Sequence, residues 1–180
     1  MSSFLYFQIF LTFLCFSGTI GDEEPVRRTN IPIALHNSSK PSMWTRIPVG
    51  YEITPGIGAL KINQRRVSWN QARNLCIQEG AHLAVINSTA EARIIVQMAY
   101  ELGVFGNIWI GIHDIFEEND WATIHDQPLS NVGWLKWAAG QPDNYYPGQN
   151  CGSLTARGVY DDSCRILFPF VCKILLPDSL

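Results

Sequence analysis

No charge of either sign predominates in this chain: 13 basic residues stand against 16 acidic ones, for a net charge of −3. Without a basic excess there is nothing to neutralise a phosphate backbone, which excludes a nucleic-acid partner. The four histidines (His36, His82, His113 and His125) lack the HExxH spacing of a zinc hydrolase, and no two cysteines have the C-x2-C spacing of a zinc ribbon. Ser153 is not set in a Gly-x-Ser-x-Gly elbow, and Gly56-Ile57-Gly58 lacks the strand–glycine–helix context of a nucleotide loop. Catalysis is not expected.

Charged side chains are missing altogether from residues 1–21. The apolar run from Phe4 to Phe16 is about half of what a bilayer span needs, and small residues follow it at Ser17, Gly18, Thr19 and Gly21. This predicts a secretory signal peptide over 1–21, hence a secreted, extracellular protein. No second apolar stretch is long enough to cross a membrane. Cys15 leaves with the signal, and Cys76, Cys151, Cys164 and Cys172 remain. An even number in a secreted chain implies disulfides, with three possible connectivities.

What is present is 47% hydrophobic residues and six tryptophans in 180 residues, enough to fold one domain. Residues 22–55 read as an N-terminal arm, broken by five prolines; 56–174 form the domain and 175–180 a tail. Gly58 to Asn63 alternates like a strand. Ser68 reads as an N-cap and Gly80 as a stop, with Trp69, Ala72, Leu75 and Cys76 at helical spacing between them. Ser88-Thr89-Ala90-Glu91 reads as a capping box opening a second helix to about Leu102, with Ile94, Ile95 and Met98 inward. Asn107 to Ile112 is a buried strand. From His113 to Gln149 no periodicity appears, and a loop of this length is functional or disordered. Trp121, Trp134 and Trp137 can anchor it. Short strands follow at 151–154, 158–160 and 168–172. Helices first, then strands, indicate an α+β class.

Two clusters of oxygen side chains frame the end of that loop. Gln141-Pro142-Asp143-Asn144 is the first and Asp161-Asp162 the second, with Gln149 and Asn150 between them. Hard oxygen donors suit Ca²⁺ rather than zinc or copper. On composition alone a solvated polar loop is the better explanation of them. Two sequons, Asn37-Ser38-Ser39 and Asn87-Ser88-Thr89, are candidate glycosylation sites. In the second, Ser88 has N-capping as its alternative role.

The order of these residues adds to the reading. Trp109-Ile110-Gly111-Ile112, Trp137, Gln141-Pro142-Asp143, Cys151, Tyr160-Asp161-Asp162, Cys164 and Phe170-Val171-Cys172 resemble the C-type lectin domain over about residues 58–174. Tyr51 to Gly58, Glu79 to Asn87 and Trp109 to Asp114 resemble the insect haemolymph lipopolysaccharide-binding lectins. The resemblance implies the C-type lectin fold, two helices flanking small antiparallel sheets with a long calcium-binding loop. It implies the pairings Cys76–Cys172 and Cys151–Cys164. It also implies a Ca²⁺ ligand set of Gln141, Asp143, Gln149, Asp161 and Asp162, with Pro142 cis. The chain departs from the family at two positions: a Glu of the usual pattern is Gln149 and an Asn is Asp161. Three carboxylates therefore remain, and the ligand charge is kept at −3.

In that family a sugar's vicinal hydroxyls complete the ion's coordination and hydrogen-bond its ligands. Gln141, Asp143, Gln149 and Asp161 would do this here, with Tyr145 placed to stack on a sugar face. The Gln-Pro-Asp order goes with galactose-type ligands. An auxiliary calcium position of some relatives matches Asp114 and Glu118 by spacing; loop capping is the expected role of Asp114. The implied function is a calcium-dependent lectin of innate immunity that binds microbial surface glycan or lipopolysaccharide, alone or as a homo-oligomer. The alternative is a calcium-independent lectin-like domain that binds a protein partner.

Overall fold

The computed structural model describes residues 47–133 and 136–176; the signal segment, most of the arm, Asn37 and Trp134 lie outside them. The chain starts with β1 (Glu52–Thr54), which turns into β2 (Gly58–Val67). Pairing therefore begins inside the segment assigned to the arm. β2 is longer than its alternating stretch suggests: Leu60 and Ile62 face the core, whereas Gln64, Arg65 and Arg66 continue the strand exposed to solvent. Helix α1 (Trp69–Gln78) follows. Ser68 accepts from the Gln71 N–H and the Gln71 side chain accepts from the Ser68 N–H, so two free donors of the first turn are satisfied reciprocally.

Helix α2 (Thr89–Glu101) lies between β3 (His82–Leu83) and β4 (Ile108–His113). Ser88 caps it by accepting from the Glu91 N–H at 3.1 Å. The other half of the expected capping box is different. The Glu91 carboxylate reaches past Ser88 to accept from the Asn87 N–H, and its second oxygen meets Lys173 Nζ at 2.6 Å. Both charged side chains are buried, so Glu91 joins the helix to the last strand rather than only closing its own turn. Ile95 and Met98 are buried as expected, and Ile94 only partly.

The remaining strands are β5 (Ala122–Thr123), β6 (Cys151–Thr155), β7 (Gly158–Asp162) and β8 (Phe168–Ile174). They assemble in the order β1-β2-β8-β4-β6-β7, with β8 parallel to β4 and antiparallel to β2. The sheet is thus mixed rather than wholly antiparallel. β4 has six buried residues in a row because both of its faces are covered. Ile108, Ile110 and Ile112 enter the core beneath α2, and Trp109 enters a second core with Trp69, Leu83 and Phe170 beneath α1. Trp69 and Trp109 each donate their ring N–H to a backbone carbonyl, so neither ring is buried unpaired. Cys76–Cys172 ties α1 to β8 inside the second core, and Cys151–Cys164 ties β6 to the segment after β7.

Candidate functional site

The long loop leaves β4 at Asp114 and returns at Asn150. Two features dock it on the sheet. Trp121 and Trp137 meet edge to face with centroids 4.8 Å apart. Residues 136–138 then lie along β7: the Val159 N–H donates to the Lys136 carbonyl and the Ala138 N–H to the Val159 carbonyl, at 2.9 and 2.8 Å. Gly158 makes this approach possible. A Cβ there would lie 2.8 Å from the Lys136 carbonyl oxygen, and its φ of +134° excludes most L residues.

Beyond that docked stretch the loop turns through the cis Gln141–Pro142 bond and closes around Asp161. Asp161, only 3% exposed, accepts from the backbone N–H groups of Asp143 (3.2 Å) and Asn144 (2.7 Å) with its two carboxylate oxygens. Its own N–H donates to Gln141 Oε1 at 3.2 Å, and its carbonyl accepts from Gln149 Nε2 at 3.1 Å. Gln149 Oε1 also accepts from the Tyr146 N–H, and Asp143 Oδ1 from the Tyr145 N–H. Gln141, Asp143, Gln149 and Asp161 are thereby gathered into one network. Asn144, in the left-handed region at φ +39°, joins it by accepting from the Gln149 N–H.

Asp162 takes a different course. Successive strand residues point to opposite faces, and the Asp162 carboxylate accepts from Ser153 Oγ and Asn107 Nδ2 at 2.6 and 3.0 Å. These two partners were not foreseen; Asn107 is 55 residues distant and no local pattern marks it. Burial pushes the Asp162 carboxyl up, the two hydrogen bonds pull it down, and the charges of Asp161 and Asp143 raise it further. Tyr145 is 73% exposed and meets Tyr146 edge to face, so the loop presents two rings to solvent where the sequence singled out one.

Next to this network Asp114 is 1% exposed. One of its oxygens caps the Asn119 N–H at 2.9 Å and the other is buried without a partner. Lost hydration and the charges of Asp114 and Asp161 raise the Glu118 carboxyl. The ion pairs among the described residues, Lys61–Glu79 and Lys173–Glu91, lie elsewhere. None of Asp114, Glu118, Asp143, Asp161 and Asp162 forms an ion pair among the described residues, and the charge of Asp161 acts on both Glu118 and Asp162. No three His, Cys, Asp or Glu side chains converge on one point among the described residues; amide oxygens must complete any ligand set. Hard oxygens and carboxylates without an ion-pair partner fit Ca²⁺ in kind.

The model of the lectin C-type domain family matches residues 65–174. The chain is 37% identical over 144 residues to the hemolymph lipopolysaccharide-binding protein of Periplaneta americana, a match spanning 76% of this chain and 56% of that protein. It is 33% identical over 111 residues to asialoglycoprotein receptor 1 of Rattus norvegicus, spanning 58% of this chain and 37% of the receptor. The chain thus spans little more than half of the first relative. The carbohydrate-recognition domain of the mouse scavenger receptor C-type lectin is similar in structure, with a TM-score of 0.60 and 26% identity over 72% of this chain and 99% of that one.

Proposed function

The chain belongs to the C-type lectin domain family, whose members are binding proteins rather than enzymes, and from that premise we propose that it is a secreted lectin recognising microbial surface glycan or lipopolysaccharide with Ca²⁺. The observation that supports this reading is the hydrogen-bond network that gathers Gln141, Asp143, Asn144 and Gln149 around Asp161. Gln141, Asp143, Gln149 and Asp161 would hold the ion, and Asp162 would join them by turning its carboxylate from Ser153 and Asn107. When bound, Ca²⁺ supplies open coordination positions that vicinal sugar hydroxyls fill. The chain's own contribution is orientation. The amides of Gln141 and Gln149 both donate and accept, whereas the carboxylates of Asp143 and Asp161 only accept, so the set dictates which hydroxyls it pairs with. Tyr145 offers an exposed ring for the apolar face of a galactose-type sugar.

One observation favours the calcium-independent alternative: four of the five candidate ligands already have hydrogen-bond partners inside the loop network. A single experiment separates the two readings. The proposal expects retention on immobilised lipopolysaccharide or galactose in millimolar Ca²⁺, release by chelator, and loss of retention in Asp143→Ala and Asp162→Ala. Retention that persists in chelator, or no calcium uptake by calorimetry at millimolar concentration, refutes the calcium-dependent reading.

A further inference from the structure

A groove of about 470 Å³ runs between α2 and the β6–β7 turn, at the start of β7, where Gly158 lies three residues before Asp161. Its floor is apolar, formed by Ala92 and Leu154. Its rim carries three cations from three different elements: Arg93 on α2, Lys136 where the long loop docks, and Arg157 at the turn. All three are exposed, and none pairs with a carboxylate among the described residues. The one acid on the wall, Glu101, accepts from Gln97 Nε2 at 2.9 Å. In a chain of net charge −3 this is a local excess of positive charge over an apolar floor. Tyr100, half exposed and beside Phe105, closes one end with an aromatic face.

We propose that this groove binds the anionic group of a charged saccharide, a phosphate or carboxylate borne on a sugar ring, separately from the long-loop site. Two arginine forks and a lysine facing one space match a tetrahedral or planar oxyanion. The volume falls within the range of small-ligand sites, and the Tyr100 ring suits a sugar face. Arg157 precedes Asp161 by four residues of one hairpin, about 13 Å along a strand, so one glycan of a few sugars reaches both sites. The choice of a saccharide rests on the lectin reading; the recognition of charge does not.

The test titrates galactose 6-phosphate, galactose and inorganic phosphate into calcium-free protein at low salt, following the backbone amides of residues 93–101 and 155–158 by NMR. The proposal expects saturable shifts with the sugar phosphate, weaker ones with inorganic phosphate, and none in this region with galactose. In Arg93→Gln/Arg157→Gln the affinity for the sugar phosphate falls about tenfold or more. Arg93→Lys/Arg157→Lys, which keeps charge but loses the forks, falls less. Shifts unchanged in the Gln variant overturn the site, and equal affinity for sugar phosphate and inorganic phosphate overturns the saccharide assignment. The Gln variant should keep its calcium-dependent retention on galactose, which shows that it is folded. If the unmutated protein shows no such retention but binds the sugar phosphate in the groove, only the long-loop reading fails.

Discussion

The two positions where this chain departs from its family form a single hydrogen-bonded unit, and exchanging them tests whether both touch the ion. Gln149 donates Nε2–H to the Asp161 carbonyl, and Asp161 uses both carboxylate oxygens on the amides of Asp143 and Asn144. A Glu at 149 cannot donate; it leaves a buried carbonyl unpaired and places a carboxylate against it, at about 1–3 kcal/mol. An Asn at 161 keeps one oxygen for two N–H donors and loses their charge assistance, at about 1.5–3 kcal/mol. Without calcium, Gln149→Glu and Asp161→Asn should each speed amide exchange at Asp143 and Asn144 by roughly ten- to a hundredfold.

With calcium the ordering changes. The three carboxylates Asp143, Asp161 and Asp162 give −3; Gln149→Glu makes −4 with two carboxylates crowded together, Asp161→Asn makes −2, and the double change returns to −3. The double variant should therefore bind calcium more tightly than the singles sum to, and select galactose more sharply in a monosaccharide competition panel. Calorimetry of the four proteins gives the coupling directly. Additivity within about 0.5 kcal/mol would mean that one of the two residues does not touch the ion, and the proposed ligand set would be wrong.

Other perturbations probe the frame. Lys173→Met strands the Glu91 carboxylate in the core and should cost about 3–5 kcal/mol in urea unfolding, with most of it recovered in Lys173→Met/Glu91→Leu; a loss below about 1 kcal/mol contradicts the buried pairing. His113 lies between Trp69 and Phe116, and burial holds its imidazole below the usual range, against the pull of Asp126 and Asp114 and helped by Arg73. The unfolded chain therefore takes up a proton first, so stability is full above pH of about 6.5 and falls as the pH drops below it. His113→Phe should make that decline shallower, and an unchanged slope would exclude His113 as its source. Tyr145→Ala should weaken sugar binding about three- to tenfold without changing the melting temperature; unchanged affinity removes the stacking role.

Much of the frame was legible because it depends on local signals. Ser68 and Ser88 cap helices where hydroxyls precede apolar periodicity, and Asn107 to Ile112 has the unbroken apolar run of a strand covered on both faces. The candidate ligands Gln141, Asp143, Gln149, Asp161 and Asp162 come from the family pattern rather than from spacing, and the structure joins the first four in one hydrogen-bond network. What escaped was set by partners remote in sequence. Glu91 looked like a capping residue because its partner Lys173 is 82 residues away. Asp162 looked equivalent to Asp161 because they are adjacent, yet strand alternation sends the former to Ser153 and Asn107. β1 was hidden because three residues without clear alternation become a strand only beside β2.

The division of labour in the loop bears on how its chemistry varies. Its position is set by Trp137 against Trp121 and by backbone bonds to Val159, none of which involves a candidate ligand. The disulfide at Cys151 fixes the start of β6, immediately after the loop returns. Residues 141–149 therefore hang from a scaffold that does not need an ion to stand. Substitutions at Gln149 and Asp161 can change the local network and the charge presented to a ligand while the core beneath α2 remains intact. For that reason Asp143→Ala should leave global unfolding in calcium-free buffer nearly unchanged while removing calcium-dependent sugar retention. A matching loss of global stability would place the loop in the folding core, against the geometry of its anchors.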